Sequence, residues 1–97
     1  MATYITLVDF TPQGLSNIKD SPNRAAAFAE EAGKLGATVK DLYWTSGEHD
    51  GLFIFDAPDE QTASAIVLSL ARKGNVHTKT LRAFDRDEMK AILSKTQ

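Results

Sequence analysis

The chain has 97 residues, with 11 Lys and Arg against 13 Asp and Glu, a formal net charge of −2 and a pI near 5.6. That length excludes two independent cores, and the balance of charge argues against general attraction to nucleic acid or an anionic membrane. The absence of cysteine excludes disulfides, thiolate catalysis and any Cys-ligated zinc or iron–sulfur site.

The opening, Met1-Ala2-Thr3-Tyr4-Ile5, alternates and lacks the basic-then-apolar order of a signal peptide. No apolar run approaches the roughly 20 residues needed to span a bilayer, so no membrane partner and a cytoplasmic setting are expected. Residues 3–10 read as a strand, with β-branched and aromatic residues on both alternating faces. A strand covered on one side only is polar on the other; this one asks for cover on both.

Thr11-Pro12-Gln13-Gly14 is turn chemistry, and Leu15 and Ile18 suit one helical turn. Ser21-Pro22 reads as a helix start, with Ser21 as its cap. Ala25, Phe28, Ala29, Ala32 and Leu35 then fall on one helical stripe that Gly36 terminates. Residues 38–45 form a second strand and the loop Ser46-Gly47-Glu48-His49-Asp50 follows. Residues 51–57 form a nearly all-apolar third strand, a pattern expected of burial on both faces. Asp59 caps a second long helix whose stripe is Ala63, Ile66, Val67 and Leu70, ended by Gly74. Residues 76–84 form the fourth strand, and Asp85 with Glu88 makes a capping box for a short helix bearing Met89, Ile92 and Leu93.

The halves repeat: strand, helix ending in Gly, strand starting two residues later. Duplicated β-α-β units with a hairpin between them define an α+β, ferredoxin-like fold with a four-stranded antiparallel sheet and both helices on one face. The strands' second apolar face then predicts a sheet-to-sheet homo-oligomer, at least a dimer. The whole of residues 1–97 is expected to be one domain.

The segments TYITLVDFTPQG (3–14), KDSPNRAAAF (19–28), YWTSGEHDGLFIFDAPDE (43–60) and GNVHTKTLRAF (74–84) resemble the GYD-domain family across essentially the whole chain, in order and spacing. The resemblance implies a dimeric α/β-barrel arrangement, two ferredoxin-like sheets packed face to face. The family takes its name from a Gly-Tyr-Asp sequence after the second strand. Here the stretch is Gly47-Glu48-His49-Asp50, with His49 where the family usually has Tyr, so a role resting on a phenol hydroxyl does not carry over.

The loop holding Glu48, His49 and Asp50 is the leading candidate site: an imidazole beside carboxylates is material for a general base. Its bland alternative is a hairpin whose Gly and Asp serve backbone geometry. Tyr43 and Trp44 either line an apolar pocket or pack in the core or an interface, one toward the helices and the other toward a partner. On the fourth strand His77 and Lys79 share one face, and Thr78, Thr80 and Arg82 the other. Arg82 is matched to a carboxylate or phosphate ligand, or to a structural salt bridge. Arg24 opposes its helix dipole and calls for an acidic neighbour such as Asp20 or Asp50.

There is no phosphate-loop or Rossmann pattern, no marked nucleophile and no RNA-binding aromatic motif. Two histidines, 49 and 77, are too few and unpatterned to predict a metal site, and no cofactor is expected. A haem or metal variant through either is the remotest option. The leading functional reading is a small homo-oligomeric binding or regulatory module with a small-molecule pocket between sheet and helices. The alternative is a cofactor-independent enzyme with His49 as acid/base and Asp50 or Glu48 orienting it, while Arg82 or Tyr43 positions the substrate.

Overall fold

A computed structural model describes residues 1–97. Its elements run β1 (Ala2–Phe10), α1 (Pro12–Ser16), a 3₁₀ turn (Ile18–Asp20), α2 (Ser21–Lys34), β2 (Thr38–Trp44), β3 (Gly51–Ala57), α3 (Glu60–Ala71), β4 (Val76–Ala83) and α4 (Arg86–Ser94). The strands form one antiparallel sheet in the order β2-β3-β1-β4, the ferredoxin-like arrangement that the internal repeat implies. No helix is long and apolar enough to cross a membrane.

Period-two alternation divides the sheet into two faces. Tyr4, Thr6, Phe53, Phe55 and Ala57 are buried on one side, against Phe28 and Ala32 of α2 and Ala63 and Ile66 of α3. Three aromatic contacts tie this face together: Tyr4–Phe55, Phe28–Phe53 and Phe53–Phe55, with ring centroids 5.3, 4.8 and 5.6 Å apart. Buried Thr6 is satisfied by the Thr80 hydroxyl at 2.9 Å.

The opposite face carries Ile5, Leu7, Leu52, Ile54 and Leu81. Ile5 stands opposite both Ile54 and Leu81 in the register, and Leu7 opposite Leu52. None of the five is buried; Leu81 is 52% exposed. Polar groups border this strip. At one end Thr3 donates to Asp56 at 2.6 Å and Lys40, beside the irregularity in β2, lies 3.8 Å from Asp56. The other end holds Asp9, His77 and Lys79.

Local chemistry explains the element boundaries. Gly36 and Gly74 take φ of 87° and 84°, ending their helices in the left-handed region where a Cβ is penalised. Asp59 accepts the Thr62 N–H at 2.7 Å, and Asp85 and Glu88 form the reciprocal capping box. The Ser21 cap expected from sequence is corrected. Helix α2 runs on directly from the 3₁₀ turn, so Asp20 takes the N-cap position without a side-chain cap bond. The Ser21 hydroxyl instead accepts the Trp44 indole N–H at 3.0 Å.

Candidate functional site

At the end of the covered face where β2 leaves the sheet and β3 enters it, α2 stands off the strands and leaves a cleft of about 160 Å³ that opens to solvent. Phe28, Phe53, Val8 and Leu70 make its apolar floor, and Trp44 and Arg24 contribute to its walls. A Cβ on Gly51, which lines the cleft, would meet the Tyr43 carbonyl at 2.9 Å, so glycine permits the close pairing of β2 with β3 there. A Cβ on Gly14 would come within 2.0 Å of the Asn75 carbonyl, so glycine also lets α1 seat against the start of β4.

Arg24 is one of two cations in the lining of this cleft. Its Nη1 donates to the Asn17 carbonyl at 2.8 Å and lies 4.0 Å from Asp20. Its Nη2 is shut from solvent and has no hydrogen-bond partner in the protein. Of the two acids expected to hold Arg24, Asp20 is the nearer; no ion pair forms with Asp50. Lys73, also in the lining, is held by both carboxylate oxygens of Glu31 at 3.1 Å.

Asp50 lines the cleft but spends one oxygen on the Phe10 N–H at 2.8 Å, and its own N–H donates to the Val8 carbonyl at 2.9 Å. Those bonds clamp the β2–β3 loop onto β1, so Asp50 is unavailable to His49. The expectation that Asp50 or Glu48 orients His49 is therefore corrected: Glu48 is exposed, and the His49 Nδ1 lies 3.2 Å from the Asp9 carboxylate. Successive residues of an extended segment diverge, and His49 turns toward the open face while Asp50 turns toward the cleft. His77 stands opposite Asp9 in the register of β1 and β4. No cluster of three or more His, Asp or Glu side chains is placed to hold a metal ion.

Trp44 packs toward α2 through its bond to Ser21, whereas Tyr43 keeps 58% of its surface exposed. Arg82 lies apart from the cleft, pairing with Glu88 at 3.1 Å and stacking 4.6 Å over Phe84. The structure thus brings Arg24, Tyr43, Trp44 and Asp50 to one cleft and leaves Glu48, His49, His77 and Arg82 outside it. Sequence reasoning missed Asp9 as the partner of His49, although a carboxylate on the apolar side of a strand was its available signal. It also missed Phe28 and Phe53 as a cleft floor, for which periodicity gives no signal beyond burial.

A four-stranded antiparallel sheet with its helices packed on one side defines an α+β domain of the ferredoxin-like class. The GYD domain pattern matches residues 4–93, and the chain belongs to that family. It is 31% identical over 84 residues to a Thermus thermophilus protein named glutamine synthetase and cystathionine beta-lyase binding protein, covering 86% of this chain and 88% of that one. Among solved structures, a feast or famine regulatory protein from M. tuberculosis complexed with L-methionine superposes with a TM-score of 0.67 at 14% identity, over 88% of this chain. The present chain spans only 51% of that regulator. The crystal structure of a Thermus thermophilus protein gives 0.57 at 23% identity, covering 88% of this chain and 95% of that one. At these identities the superpositions establish the fold.

Proposed function

We propose that residues 1–97 act as one cytoplasmic regulatory binding module, which takes a small molecule in the α2 cleft and works as a homodimer through its open sheet face. The observation that carries the reading is the cleft itself: an apolar floor with an aromatic wall and few polar groups is the ordinary make-up of a small-ligand site. One relative and one structural neighbour support it in kind. The relative is named for binding two enzymes, and the neighbour was solved with an amino acid bound.

The dimer follows from the open face, where an apolar centre is bordered by Thr3, Asp56, Asp9 and His77, the layout of an interface with a polar rim. Packed against a second copy, the two sheets would form the dimeric α/β-barrel arrangement. Helix α4, with Met89 and Leu93 exposed, offers a further apolar strip for that copy to cover. Native mass spectrometry of protein purified gently from its own host reads subunit count and retained small molecules together. A dimer carrying an extra mass is expected, while an empty monomer would contradict both parts.

The His49–Asp9 pair favours a second reading, a cofactor-independent enzyme with His49 as acid/base and Asp9 holding the ring. In that case His49→Ala removes turnover, with folding and assembly intact. If His49→Ala weakens assembly instead, the pair belongs to the interface.

A further inference from the structure

We propose that the α2 cleft selects a small carboxylate with an apolar body, and that the Arg24 guanidinium is the group that recognises the carboxylate. This rests on the cleft being a ligand site and names what that site takes.

The cleft contains an unmade bond. A buried N–H without a partner costs the full desolvation of that group, and more when the group is charged. Native proteins leave few such atoms, and each one calls for an explanation. Arg24 Nη2 is one of two buried side-chain polar atoms without a partner in this chain. The other, the Tyr4 hydroxyl, is not in the cleft lining, whereas Arg24 is. The side chain as a whole keeps 21% of its surface exposed while Nη2 itself is shut from solvent, so a ligand oxygen meets that N–H once the guanidinium turns about its Nη1 bond into the cleft.

The rest of the guanidinium is tethered. The Nη1 bond to the Asn17 carbonyl holds one arm of the planar fork, and Asn17 belongs to the segment just before the 3₁₀ turn. A planar fork tethered at Nη1 and with an unspent Nη2 donor is suited to a carboxylate, which accepts bidentate bonds, more than to a spherical anion. Asp20 offers little competition, because it is 62% exposed and only grazes Nη1 at 4.0 Å.

The other charges facing the cleft are accounted for. Lys73 is committed to Glu31, and one Asp50 oxygen to the Phe10 N–H. Arg24 is therefore the lining cation with a buried donor left unspent, whereas Lys73 is 45% exposed and can spend its third N–H on water. A second negative charge deeper in the ligand would meet Asp50 and the aromatic floor, so the body must be uncharged. Size sets the final limit. A benzene molecule fills a cavity of about 150 Å³, and the cleft measures about 160 Å³. One aromatic ring or a branched aliphatic chain, with its carboxylate at the mouth, fits that space.

Trp44 is the chain's only tryptophan and lines the cleft, which provides a direct optical readout. The test is a fluorescence titration of the full chain with 3-phenylpropionate and, separately, with the uncharged 3-phenylpropanamide. The wild type should bind the carboxylate with Kd of about 0.1–1 mM, a value set by its few non-hydrogen atoms. It should prefer the carboxylate over the amide by about tenfold or more. Arg24→Gln should abolish that preference, read as the ratio of the two dissociation constants, whatever its effect on overall affinity. Arg24→Lys keeps the charge and loses the fork, so it should retain part of the preference; it also serves if the Gln variant fails to fold. Equal binding of both probes by the wild type overturns the carboxylate assignment and leaves the cleft as an apolar ligand site. Binding of neither probe overturns the cleft reading as well.

Discussion

The two faces of the sheet are built from the same four strands and nearly the same residue types, yet they end in different environments. On the covered face Phe53 and Phe55 are 3% and 0% exposed beneath α2 and α3. On the other face their neighbours Leu52 and Ile54 are only partly buried. The contrast teaches that a domain this small buries one layer with its own helices and leaves the second, the face proposed for self-association, without such cover. It also places the two proposed activities apart. The ligand cleft lies where α2 lifts from the covered face, and the self-association surface is the opposite face.

The sharpest way to test the contrast is truncation on each side. Phe55→Ala removes a fully buried ring and should cost about 3–5 kcal/mol in denaturant unfolding. Ile54→Ala, next to it in sequence, should cost only about 1–2 kcal/mol at dilutions where the chain is monomeric. Similar losses at the two positions would mean that the faces do not differ in burial.

Gly14→Ala probes the covered side's end near the cleft. Its Cβ would collide with the Asn75 carbonyl, so α1 must shift at a cost of about 1–3 kcal/mol. That loss reads as a melting temperature lowered by about 4–8 °C per kcal/mol. Removing the α4 cap by Asp85→Ala should cost about 1 kcal/mol and show first as faster amide exchange in α4.

The smallest effect is in acid. The Thr62 backbone N–H holds the Asp59 carboxyl below its ordinary range, and the Asp85 backbone N–H, followed by Arg82, does the same for Glu88. A carboxyl depressed in the folded state stabilises above its unfolded pKa and loses that contribution as pH falls through the folded value. Stability should therefore be insensitive to these groups above about pH 5 and fall with pH below the normal carboxylate range near about pH 4. Asp59→Asn with Glu88→Gln should flatten the acid limb of an unfolding curve measured against pH.

Much of the fold was legible in the sequence, because its signals are local. Pro, Gly and Asp residues mark the boundaries, and two strands with apolar residues on both faces announce a sheet with two faces to cover. The capping box at Asp85 and the glycine stops at 36 and 74 depend only on neighbouring residues, and the structure places them as expected. The candidate site was less legible because it depends on long-range direction. Glu48, His49 and Asp50 are adjacent in sequence, but Asp50 is drawn to Phe10 and His49 to Asp9, each 40 residues away. Arg24 read only as an awkward charge at a helix start. Its unpartnered Nη2 and the cleft beside it exist only once α2 is set against β2 and β3.

The measurement that tests the two-face division most directly is sedimentation equilibrium of the wild type beside Ile54→Lys. Ile54 points away from the covered core, so the variant should keep its circular dichroism spectrum. A wild-type dimer at micromolar concentration and a monomeric variant are expected, since a lysine at the centre of an apolar interface would be buried without a partner charge. A wild type that stays monomeric, or a variant that dimerises equally well, would contradict the division of labour between the two faces.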